Sequence, residues 1–322
     1  MYRRPLGCSQ LADFSMHANF PASQPDPREG YVPVENGQLY YREIGQGQPI
    51  IVLHGGPDFD HNYLLPDMDR LSDSFRLIYY DQRGRGRSAA NVRAEDVTIH
   101  TEIQDLESLR HYFQMESIAV LGHSWGGLLA MEYAIRHPDR LSHLILMNTA
   151  PASHEDYMLL RQELPRRRAA GDVEMLKVLS SSTQYQEGDL ETDAEYYRIH
   201  FRATLRQPEH LERVIQNLRL NMNKEGILRA RAIEKRLYDE TWLSGKYNLL
   251  PKLKLLGIPT LILHGDYDFI PVDIAAHIAE AISGARLVVL RECGHFCYLE
   301  CQDQVRKELG DFFDNSGSSL LM

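Results

Sequence analysis

Positive charge is in short supply: 35 Lys and Arg stand against 45 Asp and Glu, a formal net charge of −10 over 322 residues. Nucleic acid and anionic membranes reward the opposite sign, so neither is expected as a partner. No apolar run approaches the ~20 residues that span a bilayer. The chain opens with Arg3 and Arg4 but no continuous apolar stretch follows, so it does not read as a secretory signal. Cysteine is scarce too. Cys8, Cys293, Cys297 and Cys301 make no disulfide framework for a chain this long, and a cytoplasmic, reducing compartment is expected. The last three recur every four residues and would share a stripe on a helix. No CxxC pair or HxxxH completes a ligand set, so they read as small buried hydrophobes near a helix start, and no metal is expected. GxGxxG and GxxxxGK are missing, as are internal repeats and low-complexity tracts.

What remains is an ordinary globular composition, 43% apolar and 25% charged. The segment "YVPVENGQLYYREIGQG" (31–47) alternates around Asn36-Gly37 and predicts a β-hairpin. "PIIVLH", "FRLIYYD", "SIAVLGHS", "LSHLILMNTA", "PTLILHGD" and "ARLVVLREC" read as buried strands. A polar, helix-compatible piece separates the first two. The helix "LLAMEYAIRH" follows the third and is closed by Pro138, and "VDIAAHIAEAI" lies between the last two. Strands alternating with helices predict an α/β fold with a mostly parallel sheet covered on both faces. The alternation stops across 151–250, where stretches such as "EHLERVIQNLRLNM" show only helical periodicity. A helical insertion there would cap the carboxyl ends of the strands, where open α/β sheets bind ligands. The expected organisation is a loose arm over 1–30, core over 31–150 and 251–314, a helical cap over 151–250, and a tail over 315–322.

"GHSWGG" (122–127) fits G-x-S-x-G between a strand and a helix. A serine on that sharp turn exposes its hydroxyl, and side chains two residues to either side would clash, hence the glycines. Ser124 is the candidate nucleophile. It needs a base and an orienting carboxylate, in the chain order Ser, acid, His at successive strand ends. Asp268 in "HGDYDFIP" and His295 in "RECGHF" supply them. Asp266, directly at its strand end, is assigned to turn amides instead. Oxyanion donors are expected from the N–H of Trp125 and from Gly56 in "HGGPD", whose glycines let the backbone approach a substrate. His54 is read as a structural prop for that loop. The arginines of "DQRGRGRS" (81–88) are read as braces, with Asp81 capping a turn.

In this order "HGGPD", "DQRGRGRS", "GHSWGG", "GDYD" and "CGH" resemble the α/β-hydrolase superfamily, and within it the proline iminopeptidase branch of serine peptidases. The resemblance covers about residues 31–313. It implies a central sheet with a helical cap, a Ser124–His295–Asp268 triad, no cofactor, and release of N-terminal residues, often proline, from short peptides. It also implies acidic residues near the cap that hold the substrate's α-ammonium. Glu234, Asp239 and Glu240 lie in a suitable region. Two departures stand out. The family loop is usually HGGPG where this chain has Asp58, and its elbow is usually GGSWGS where this chain has GHSWGG. Asp58 either helps hold an amine or turns away to close the loop.

The leading expectation is therefore a serine hydrolase acting as an aminopeptidase on short peptides. A carboxylesterase or lactonase with the same machinery is the alternative, and carbon–carbon bond hydrolases are a lesser one. Dehalogenase and epoxide hydrolase chemistry would place an aspartate at Ser124. A non-catalytic binding protein on the same scaffold would tend to lose a triad member, and all three are retained. The sequence leaves homo-oligomerisation open.

Overall fold

The computed structural model describes residues 26–318. The expected arm up to residue 25, with Cys8, lies outside the described residues, as does the tail from residue 319. Eight strands form one sheet in the order β1-β2-β4-β3-β5-β6-β7-β8. Their ranges are β1 Arg28–Val34, β2 Gly37–Ile44, β3 Gln48–Leu53, β4 Phe75–Tyr80, β5 Ile118–His123, β6 Leu141–Met147, β7 Thr260–Gly265 and β8 Arg286–Leu290. The hairpin β1–β2 is antiparallel, and β2 meets β4 antiparallel. From β4 through β3 to β8 every pairing is parallel.

Two expectations shift at the amino end. Arg28, Glu29 and Gly30 pair with Glu43, Arg42 and Tyr41, so the sheet begins before the anticipated end of the arm. The hairpin loop is Glu35–Asn36, since Val34 already pairs with Gly37. Asn36 has φ +59°, a left-handed conformation that asparagine tolerates.

The central strands are buried on both faces, and their alternation sorts two cores. Ile51, Leu53, Val120, Leu144, Leu146 and Ile262 point to one side. Ile50, Val52, Leu121, Ile145, Met147 and Leu263 point to the other. The first face is covered by α1 (Ile99–Tyr112) and α2 (Trp125–Arg136), both packed in the core with Ile51. Between β6 and β7 come α3 (His154–Arg166), α4 (Ala170–Ser181), α5 (Thr183–Gln186), α6 (Leu190–Arg202), α7 (Leu211–Leu218), α8 (Lys224–Glu240) and α9 (Leu250–Leu253). This helical insertion covers the span read as strandless from the sequence, and its one strand-like feature is an isolated bridge from Ser153 to Asn248. Then α10 (Val272–Ala281) joins the first face, while α11 (Cys297–Glu300) and α12 (Gln302–Ser318) cover the second. The helix α12 runs on past the expected start of the tail at residue 315. Among the described residues no helix is long and apolar enough to cross a membrane.

The segment read as helix-compatible between β3 and β4 forms two 3₁₀ stretches, His61–Leu64 and Asp67–Asp73. Two of the arginines after β4, Arg83 and Arg85, tie that strand to α1. Arg83 pairs with Asp105 and donates to the Glu35 carbonyl at 2.7 Å. Arg85 is buried against Glu102 at 2.6 Å. Arg87 lies 4.2 Å above the Tyr40 ring. Asp81 accepts from the Arg87 N–H at 2.8 Å and contacts His61 Nδ1 at 2.6 Å. This is the bracing arrangement read from the sequence.

Candidate active site

The strand β5 ends at His123, and Ser124 turns the chain into α2 with φ +53° and ψ −118°. That is a strained conformation for a residue with a side chain. The turn is pinned by its own backbone: Ser124 N–H donates to Met147 at 3.0 Å, and its carbonyl accepts from Gly127 and Ala150 at 2.9 Å each. A Cβ at Gly122 would strike the Gly126 carbonyl, and one at Gly126 would strike that of Leu53. Only glycine lets β3, β5 and α2 approach this closely.

Asp268 and His295 follow the ends of β7 and β8. His295 Nδ1 lies 2.9 Å and 3.1 Å from the two carboxylate oxygens of Asp268. Asp268 is almost fully buried, which alone would raise its pKa. The His295 charge and hydrogen bond, the His264 ring and the Asn148 amide together hold it below the usual carboxylate range. Asn148, just past β6, donates to Asp268 Oδ2 at 2.7 Å, and the Ile270 N–H donates to Oδ1 at 3.0 Å. A carboxylate at Nδ1 fixes the proton there and leaves Nε2 as the free basic nitrogen. Asp266 instead accepts the Cys293 N–H at 3.2 Å, as a turn brace.

Gly56 has φ +44°, and a side chain there would run into the Phe59 ring. Trp125 opens α2, so its N–H belongs to the helix's first turn, where no intrahelical acceptor exists. Gly56, Trp125, Ser124 and His295 all line one cavity of about 320 Å³, to which the helical insertion also contributes Tyr157, Tyr197 and Glu234. His54 holds the loop from below: Nδ1 lies 3.0 Å from the Gly55 carbonyl and Nε2 accepts the Gln82 N–H at 3.1 Å. Burial lowers its pKa to about 3, so it stays neutral. The arrangement suits acyl transfer: a half-buried serine on a strained turn, a buried acid–imidazole pair, and Gly56 and Trp125 lining the same cavity.

The α/β-hydrolase fold model matches residues 48–301. The chain belongs to the α/β-hydrolase family. A proline iminopeptidase of Saccharolobus solfataricus is 28% identical over 89% of this chain and 92% of its own. One of Lactobacillus crispatus is 29% identical over 89% of this chain and 98% of its own. Among solved structures, a proline iminopeptidase of Mycobacterium smegmatis shares the fold with a TM-score of 0.69, at 22% identity over 91% of this chain and 100% of that one.

The hydrolase's pocket also contains two of the acidic residues singled out from the sequence, Asp58 and Glu234. The Tyr197 hydroxyl from α6 donates to Asp58. Burial pushes Asp58 up to about 6 against the pull of that hydroxyl. Burial, then the Asp58 charge, pushes Glu234 up to about 8. Arg231 lowers both but is itself ion-paired to Asp193. Asp239 and Glu240 are not in this pocket. Asp239 is exposed and pairs with Lys235 at 2.6 Å, while Glu240 accepts the Ile99 N–H at 3.2 Å at the start of α1. The helix period explains the split. Tyr238 falls beneath Glu234 on the pocket face, and the next two positions rotate about 140° and 240° away from Glu234.

Four side chains around the site were not singled out from the sequence: Asn148, Tyr63, Tyr197 and Tyr238. Asn148 had a signal, a polar residue ending an apolar strand at the sheet's carboxyl edge. The tyrosines had none. The cysteines do not form a helical stripe: Cys293 lies in the loop after β8, Cys297 opens α11 and Cys301 follows it. Cys293 and Cys297 are buried, as small hydrophobes near a helix start would be.

Proposed function

We propose that this hydrolase is a serine aminopeptidase that releases N-terminal residues, proline among them, from short peptides. The observation that carries this reading is the pair Asp58 and Glu234 in the same pocket as Ser124 and His295. Two carboxylates that burial pushes towards neutrality, Glu234 further so by the Asp58 charge, are a ready receptor for a cation, and a peptide's α-ammonium is such a cation. An ester or lactone offers them nothing. The names of the relatives support the same substrate class, and the stacked Tyr157 and Trp242 rings, 4.8 Å apart, add a flat apolar wall.

Ser124 Oγ attacks the scissile carbonyl carbon while His295 Nε2 takes the hydroxyl proton. The carbonyl oxygen becomes an oxyanion facing the Gly56 and Trp125 amides. As the C–N bond breaks, His295 returns its proton to the leaving amine. Water, deprotonated by His295, then cleaves the acyl-enzyme and frees the N-terminal residue. Asp268 keeps the imidazole oriented and stabilises its charged form.

The test compares prolyl and alanyl arylamides with short acyl p-nitrophenyl esters. Turnover of the arylamides, abolished in Ser124→Ala, is expected. Hydrolysis of the esters alone would make the enzyme a carboxylesterase instead, and turnover unchanged in Ser124→Ala would remove the serine from the mechanism.

A further inference from the structure

The pocket carries positive charge for which the reaction as written has no use. Arg161, on α3, and Arg168, two residues past its end, line the cavity together with Ser124 and His295. Among the described residues neither forms an ion pair. Arg168 Nη2 lies 2.8 Å from His200 Nδ1, and its Nε is buried without a hydrogen-bond partner. The acidic residue that favours its charge, Asp172, is paired with Arg202 at 3.1 Å. Burial lowers the pKa of Arg168, and that of His200 to about 3, so the imidazole beside it is neutral and no counter-charge. A half-buried guanidinium with no anion is costly unless a ligand supplies one.

Its position says which part of a substrate would do so. His200 packs on Phe269 with ring centres 5.9 Å apart, and Phe269 packs on His295 at 4.5 Å. Through Phe269, Arg168 therefore reaches the pocket beside His295, and His200 also meets the Tyr197 ring at 6.2 Å. Asp58 connects through the Gly56 side: it holds Tyr197, which packs at 5.1 Å on Phe59, the ring against Gly56. In acyl transfer the histidine delivers its proton to the leaving amine, so the leaving residue lies on the histidine's side. An extended dipeptide spans about 7 Å, within the compass of a cavity this size.

We propose that Arg168, with Arg161, receives the C-terminal carboxylate of the leaving residue, making free dipeptides the preferred substrates of the site. The inference rests on the aminopeptidase reading. A planar guanidinium can take a carboxylate by two parallel hydrogen bonds, and charged hydrogen bonds of this kind correspond to about 10-fold or more in specificity.

The experiment measures kcat/KM of the wild-type enzyme for alanyl-alanine, its C-terminal amide and alanyl arylamide. The free dipeptide is expected to exceed its amide by about 10-fold or more, with that ratio falling towards one in Arg168→Gln. Equal rates for dipeptide and amide would overturn this inference, and so would a preference that survives both Arg168→Gln and Arg161→Gln. If the arylamide is still cleaved in either case, the aminopeptidase reading stands and only the carboxylate site falls. If none of the three is cleaved, both fall.

Discussion

His123 Nε2 lies 2.9 Å from the main-chain carbonyl of His295, a contact between the residue before Ser124 and the loop 172 positions later. A carbonyl can only accept, so Nε2 carries the proton and Nδ1 is the acceptor. At 2.7 Å from Nδ1 stands the Tyr63 hydroxyl, which therefore donates to it. The Tyr63 oxygen in turn accepts the Gly55 N–H at 2.6 Å. One directional chain thus joins the glycine loop, the serine turn and the histidine loop. Burial, and the His295 charge, lower the pKa of His123 to about 3, which keeps this arrangement intact at any working pH.

Tyr63→Phe breaks that chain at its middle and strands the Gly55 N–H and His123 Nδ1. Misplacing the two loops relative to one another should cost the reaction rather than ground-state binding. We expect kcat to fall by about 10- to 100-fold with KM within about 2-fold, measured well below the melting temperature. A rise in KM at constant kcat would show that the chain serves substrate binding only.

Glu234 should trade stability for function. Its pKa is raised from 4.5 in a free glutamate to about 8 in the fold. A raised carboxyl pKa contributes stability that is fully present below the unfolded value and is lost as pH rises through the folded one. Glu234→Gln mimics the neutral acid at every pH. The variant should melt close to wild type at pH 4 and increasingly above it between pH 5 and 8.5, while losing turnover of free-amine substrates. A melting difference that stays constant across this range would contradict the assignment of Glu234 as a carboxylate whose pKa the fold raises.

The loop after β4 offers a structural test remote from the cavity chemistry. Arg85 and Glu102 are both buried, and burial raises the Glu102 pKa even with Arg85 beside it. Arg85→Met leaves that carboxyl without its partner and should destabilise the protein by about 3–5 kcal/mol in denaturant titrations. The double variant with Glu102→Leu should recover a large part of the loss.

Much of the fold was legible because the parallel strands are buried on both faces and write continuous apolar runs. The helix α1 was passed over for a related reason: Glu102 and Asp105, which look like solvent-facing residues, are counter-ions to Arg85 and Arg83. Ser124, Asp268 and His295 sit in short local patterns at strand ends, so motif, strand context and chain order together single them out as candidates. Tyr197 and Asp58 meet across 139 positions, and nothing local marks that contact. The choice among Glu234, Asp239 and Glu240 depended on which face of α8 looks down, and the sequence of a largely polar helix does not give that phase.

The most direct measurement compares prolyl or alanyl p-nitroanilide with the same compound acetylated at its amine. Acetylation removes the positive charge and leaves the scissile bond and the side chain intact. With Asp58 and Glu234 holding an α-ammonium, the free-amine substrate should be cleaved about 100-fold or more faster in kcat/KM, as expected for a charged group bound by two carboxylates. Equal cleavage of the two compounds, or faster cleavage of the acetylated one, would contradict the account.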